Sequence, residues 1–177
     1  EPAMPIEWNP SKRRQKDIDA TWTKKHGKSY FGYKLSINAD KRYKLIRKLK
    51  VSTASEHDTR HLEEVLDDGN TSRDVYADKG YGDRERETRL TAKGYRVHIQ
   101  RKAAKGKPLS ECQKGRNTRI AKTRARVEHV FAGIKQLGGK GVRCVGLARA
   151  TLQLNLKAAT YNLRRLCSLK TCGIVAF

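Results

Sequence analysis

Long apolar runs, acidic residues and paired cysteines are what this chain has least of. No stretch approaches the ~18 to 20 consecutive apolar residues that a bilayer-spanning helix needs, and only 37 % of the residues are apolar. No transmembrane segment is expected. The opening EPAMPIEWNP lacks the basic-then-apolar order of a secretory leader, which points to a cytoplasmic protein. The four cysteines, Cys112, Cys144, Cys167 and Cys172, form no C-x2-C pair and have no histidines at zinc spacing, so free thiols in a reducing cytosol are expected. Acids number 18 against 40 Lys and Arg, a formal net charge of +22. The excess runs through the whole chain, and a field of that sign favours a polyanion, of which nucleic acid is the commonest. At 177 residues the chain can bury one fair-sized core, so one domain with attached arms is expected.

Residues 1–16 hold three of the four prolines and the basic run Lys12, Arg13, Arg14 and Lys16. They read as an extended arm, either a solvated tail or a tracker of DNA phosphates. The arm is taken as residues 1–22 and the folded domain as 23–177. From Tyr30 to Ile37 apolar and polar residues alternate, and the run from Tyr43 to Val51 sets Tyr43, Leu45, Leu49 and Val51 on one face. The two make a β-hairpin. Ser55 to Asp58 resembles a capping box that opens a short helix through Leu62, Val65 and Leu66. A strand over 74–78 breaks into Lys79-Gly80-Tyr81-Gly82, which leaves Asp78 at a strand end, where it either shapes the turn or faces a ligand. A helix over 83–93, a strand over 95–100 and a basic loop over 101–116 follow. That loop, with Arg101 and Lys105, is either a phosphate contact or a solvated linker. A last helix over 147–169 carries Leu152, Leu156, Ala159, Leu163 and Leu166 at spacings of 4, 3, 4 and 3. This seam faces the core or a second copy in a homodimer, the core being the commoner outcome.

The strongest periodicity lies in Asn117 to Gly139. At about 100° per residue, Ile120, Val127, Val130, Phe131, Ile134 and Leu137 share an arc of roughly 120°, which is a core-facing stripe. Asn117 or Thr118 is the expected cap, and Gly138 with Gly139 the stop. Arg124, Glu128 and Lys135 cluster within roughly 40° beside that stripe. One reading is an ordinary i, i+4 ion pair between Arg124 and Glu128, worth a few tenths of a kcal/mol.

The pattern R-x3-E-x6-K formed by Arg124, Glu128 and Lys135 resembles the signature of bacterial insertion-sequence transposases of the DDE class. The family's Tyr three residues before the Arg is Ala121 here. YADKGYGD (76–83), WTKKHGKSYFGYK (22–34), His57-Asp58 and VRCVGLARA (142–150) also match the family's text, so the resemblance extends over about 8–169. It implies an α/β chain with a ribonuclease H-like fold, a mixed sheet with an antiparallel hairpin and flanking helices, N-terminally truncated. It further implies that Asp78 and Glu128 are catalytic acids that ligate Mg²⁺ or Mn²⁺. Phosphodiester cleavage needs charge stabilised on both the attacking and leaving oxygens, which paired metal ions supply. Arg124 and Lys135, with Lys12, Arg13, Arg14, Arg101 and Lys105, would contact double-stranded DNA at transposon ends and target in a nucleoid-associated protein. The family's first catalytic aspartate lies on a strand upstream of any counterpart here. Asp19, in KDIDATW, superficially resembles it but stands where the family has a non-catalytic acid. A non-catalytic nucleic-acid-binding regulator and a resolvase-like nuclease are the competing readings.

Overall fold

A computed structural model describes residues 9–139 and 141–174, without the Arg13 side chain. The first residues of the expected arm, 1–8, lie outside them. Residues 10–15 form a short helix, α1 (Pro10–Gln15), and are not extended. Asn9 explains the start, because its Oδ1 accepts the Lys12 amide at 2.8 Å.

Three antiparallel strands follow in spatial order: β1 (Thr21–Lys25), β2 (Lys28–Ala39) and β3 (Ile46–Thr53). The expected hairpin is β2–β3, while β1 went unread because its alternation is short and mostly polar. Its turn is set by His26 and Gly27, both at positive φ (50° and 76°), as a two-residue primed hairpin turn requires. A bulge between Asn38 and Ala39 pairs Ala39 with Ile46 and Asn38 with Lys48. The bulge turns Ile46 inward, where alternation alone had placed it opposite Leu49 and Val51. Ile46 is accordingly buried with Val130, Ile134 and Ala158.

The helix expected from Ser55 onward is a single 3-10 turn, Asp58–His61, capped by His57 and not by Ser55. The Ser55 amide is already taken by Thr21 Oγ1 at 2.8 Å. A second, parallel sheet pairs β4 (Asp74–Ala77) with β5 (Arg96–Ile99), joined through α2 (Arg84–Ala92). Leu90, Ile99, Val75, Ala77, Leu62 and Tyr95 form its core.

Two long helices complete the chain, α3 (Glu111–Gln136) and α4 (Leu147–Thr171). α3 is capped by Ser110 with a full capping box to Gln113, seven residues before Asn117, the first cap proposed from sequence. The basic loop is correspondingly shorter. Ile120, Val130 and Ile134 of the stripe are buried, and Val127, Phe131 and Leu137 are half-buried. On α4 the buried positions are Ala150, Leu154, Ala158 and Leu169, whereas Leu152, Leu156 and Leu163 are 60–64 % exposed. The leucine seam therefore does not face the core. The helix is rotated because Asn162, Tyr161 and Arg165 bind the β2–β3 hairpin: Asn162 pairs with both backbone groups of Ile46, at 2.8 and 2.9 Å. Tyr161 Oη donates to Lys44 O at 2.9 Å and Arg165 Nε to Tyr43 O at 2.8 Å. Among the described residues no helix is long and apolar enough to cross a membrane.

α3 crosses α4 at Gly133, where a Cβ would stand 2.6 Å from Tyr161 Cε2. Gly to Ala inside a helix usually gains up to about 1 kcal/mol. Here the sign reverses, since Tyr161 is tethered through its hydroxyl: Gly133→Ala is expected to cost about 1 to 3 kcal/mol in denaturant unfolding. On α4, Leu154→Ala is expected to cost about 2 to 5 kcal/mol by loss of burial, and Leu156→Ala under about 0.5. Asp74 gives a pH signature. Its carboxyl is pushed down to about 2 by hydrogen bonds from Arg96 and His98. A depressed folded-state value stabilises the fold above the ordinary carboxylate range, and that stability is lost as pH falls from ~4 toward 2. Asp74→Asn should flatten this acid limb of stability measured against pH.

Candidate functional site

Parallel strand β4 ends at Ala77, so the next residue leaves the sheet at its carboxyl edge, where side chains face outward from the core. That residue is Asp78. It is half-buried, caps the 3-10 turn Lys79–Tyr81, and its Oδ1 accepts the Lys79 amide at 2.5 Å. The turn-shaping role is thus real, but it uses one of two carboxylate oxygens. Asp78 opens onto a cleft of about 600 Å³ whose walls include Lys79, Gln100, Arg101, Lys102 and Asn117. Arg101 lines the same cleft as Asp78, and its guanidinium is held bidentately by Glu87 at 2.9 and 3.0 Å. Lys105 stands further out, exposed in the turn closed by the Ala104–Lys107 bridge.

The second wall is made by α3. Asn117, expected as a cap, sits inside the helix and grips the chain after β5: its Oδ1 accepts the Arg101 amide at 2.8 Å and its Nδ2 donates to Arg101 O at 2.9 Å. Arg116 donates to Ile99 O at 2.7 Å and Gln100 to Asn117 O at 3.2 Å. These contacts fix α3 across the end of the parallel sheet. Lys102 and Arg116 fell within the basic loop read from sequence as a phosphate contact or linker but were not singled out, and Asn117 was read only as a cap, because a mid-helix Asn and two cations among forty carry no spacing signal.

Tyr81 packs against the core of the parallel sheet; burial raises its phenol above the ordinary value, Asp58 and Asp78 add to that push, and Arg124 opposes it. Arg124 is half-buried. Glu128, one turn along, is exposed and makes no ion pair among the described residues. The ordinary i, i+4 pair with Arg124 is not formed. Lys135, further along α3, is exposed too. Most other acids are engaged, as in Lys34–Asp58 at 3.3 Å, Arg47–Asp67 at 2.8 Å and Arg96–Asp74 at 2.7 Å. Asp78 and Glu128 have no cation within ion-pair distance among the described residues, in a chain that has cations to spare.

Asp19 lies elsewhere. Its Oδ2 accepts the Leu147 amide at 2.8 Å, capping α4, whose own N-cap residue, Gly146, has no side chain to do so. A carboxylate there also complements the helix dipole. Lys12 and Arg14 are exposed on α1, and the side chain of Arg13 is outside the described residues.

Comparison with known proteins bears on this geometry. The family described as "Transposase DDE domain" matches residues 3–163. The transposase for insertion sequence element IS1106 from Neisseria meningitidis serogroup B is 35 % identical over 149 residues, covering 84 % of this chain and 51 % of the relative. No solved structure matches the chain. The chain spans about half the length of that curated relative, and over the greater part of its own length it belongs to the DDE transposase family of insertion sequences.

Proposed function

We propose that this chain is a DNA-binding part of a transposition enzyme with a ribonuclease H-like fold, in which Asp78 and Glu128 are the reactive acids. The observation that carries the reading is Asp78. It is an unneutralised carboxylate at the carboxyl end of a parallel strand, beside Lys79 and Lys102. The helix that carries Arg124 and Glu128, α3, reaches the same cleft through Asn117.

In this reading Lys79, Lys102 and Arg124 hold backbone phosphates, which positions DNA without reading its sequence. Lys135, Lys12, Arg14 and Lys105 extend the contact. Glu87 keeps the Arg101 guanidinium out of the Asp78 carboxylate, so that Arg101 screens phosphate without closing the acid off. The family implies Mg²⁺ or Mn²⁺. Among the described residues, however, no group of three or more His, Cys, Asp or Glu stands close enough to hold a metal ion. Two carboxylates do not make the set that paired ions need. The residues present thus support DNA binding and orientation, and no chemical step is assigned to them alone.

The test is duplex binding by fluorescence anisotropy across a salt series, together with a nicking assay in Mg²⁺ or Mn²⁺. Affinity should fall steeply with salt, and Lys102→Ala and Arg124→Ala should each weaken binding and reduce the salt slope by about one. Asp78→Asn and Glu128→Gln should bind duplex at least as tightly as the parent, since each removes a negative charge. The chain alone should not nick. Metal-dependent nicking by the parent chain, abolished in Asp78→Asn, would overturn the claim that the acid set is incomplete. Salt-insensitive or undetectable duplex binding would overturn the reading altogether.

A further inference from the structure

The β1–β2 hairpin presents large aromatic side chains to solvent. Trp22, Phe31 and Tyr30 are 63, 51 and 52 % exposed, and none belongs to either buried cluster. The pairing register sorts them by face. Trp22 sits opposite Phe31, with Lys24 two residues along the same face, while Tyr30 shares the other face with Lys25 and Lys28. Trp22 and Phe31 are in contact as a tilted pair, ring centroids 5.2 Å apart at 50°.

The ribbon is rigid at both ends. Its tip is the His26–Gly27 primed turn. Its root is fixed where Tyr33 Oη donates to Asp17 at 2.6 Å, Ser55 N to Thr21 Oγ1 at 2.8 Å and Ala54 N to Gly32 O at 3.1 Å. No acid occurs between Asp19 and Asp40, and Lys24, Lys25 and Lys28 are exposed without an ion pair among the described residues. Exposed aromatic faces cost free energy in water unless something covers them. Their cover must tolerate three unneutralised lysines within a few residues of the rings.

We propose that this hairpin is a stacking finger for unpaired DNA: base faces lie against Trp22 and Phe31 while Lys24 on the same face, and Lys25 and Lys28 beside the turn at the hairpin tip, hold the flanking phosphates. Aromatic platforms set among cations are how single strands are bound without sequence preference, because every base has a π face and every nucleotide a charge. A continuous duplex satisfies only half of the requirement, since its base faces are already stacked on one another. The inference rests on the DNA reading above and adds a substrate form to it: DNA with a locally opened or single-stranded segment.

The chain has two tryptophans, so Trp8→Phe leaves Trp22 as the only one, and its fluorescence reports on the hairpin directly. Titration of that variant with a 16-nucleotide oligo(dT) should quench the emission saturably, and a duplex of equal length should quench far less. In anisotropy, Trp22→Ala should lower affinity for labelled oligo(dT) about tenfold or more, with duplex affinity held within about twofold. Trp22→Phe should restore most of the loss, as stacking requires and a purely structural role at this exposed position does not. Emission unmoved by saturating oligo(dT), or equal losses of duplex and oligo(dT) affinity in Trp22→Ala, would overturn the finger while leaving duplex binding to judge the parent reading. A change from dimer to monomer in Trp22→Ala by sedimentation would also overturn it, assigning the aromatic face to a second copy.

Discussion

The contact on which the rest of the molecule depends is the docking of α3 against both sheets at once. The helix has 26 residues and so is about 39 Å long. Its first half is fastened to the end of β5 by Arg116 and Asn117, and its second half buries Val130 and Ile134 against the antiparallel sheet and α4. Among the described residues the two sheets share no strand pairing. A parallel pair of four-residue strands is far too small to persist alone. Without α3 the strand that leads into Asp78 would lose its fixed relation to the remainder of the chain.

Both long helices solve this attachment by the same chemistry. Asn117 of α3 takes the amide and carbonyl of Arg101, and Asn162 of α4 takes the amide and carbonyl of Ile46. An asparagine side chain carries one acceptor and two donors in amide geometry, so it pairs with a strand's backbone as a neighbouring strand would. Each pair satisfies backbone groups at the start or end of a strand, which burial would otherwise leave costly. The same bonds set the rotation of the helices. On α4, Asn162, Tyr161 and Arg165 turn toward β3, and the Leu152, Leu156 and Leu163 row is carried to solvent as a result.

That rotation shows where sequence is legible and where it is not. α3 was readable because Ile120, Val130 and Ile134 repeat at helical period and the glycines after Gln136 stop it. Its start was not, since the polar first two turns from Ser110 show no apolar period. The parallel pair was readable from short apolar runs and glycine breaks, including the position of Asp78 at a strand end. Asp19 was ambiguous because its bond joins residues 128 apart in sequence. The α4 seam misled for a related reason: its leucines have the better spacing, yet Leu154 and Ala158 won the core through hydrogen bonds made by residues that no apolar pattern includes. For the site, residue type and motif order indicated Asp78 and Glu128, whereas the Arg116 and Asn117 clamp that fixes α3 across the end of β5 is a tertiary fact.

An acid left bare in a chain of +22 needs a reason, and neighbouring bonds supply one. Several cations on the neighbouring elements are committed to other groups, while Lys79 and Lys102, which line the same cleft, make no ion pair among the described residues. Glu87 takes the Arg101 guanidinium, Tyr81 O takes Arg86 at 3.0 Å, and Asp58 takes Lys34. Each of these cations still contributes to the long-range positive field, but none can swing onto Asp78 without leaving a partner unpaired. Asp78 thereby lines the cleft without a cation at ion-pair distance, and the surrounding field still draws a polyanion toward it. A single close ion pair would have supplied the same local neutrality and consumed the group. In this fold Glu87, Tyr81 and Asp58 tie Arg101, Arg86 and Lys34, while Lys79 and Lys102 are left to meet phosphate.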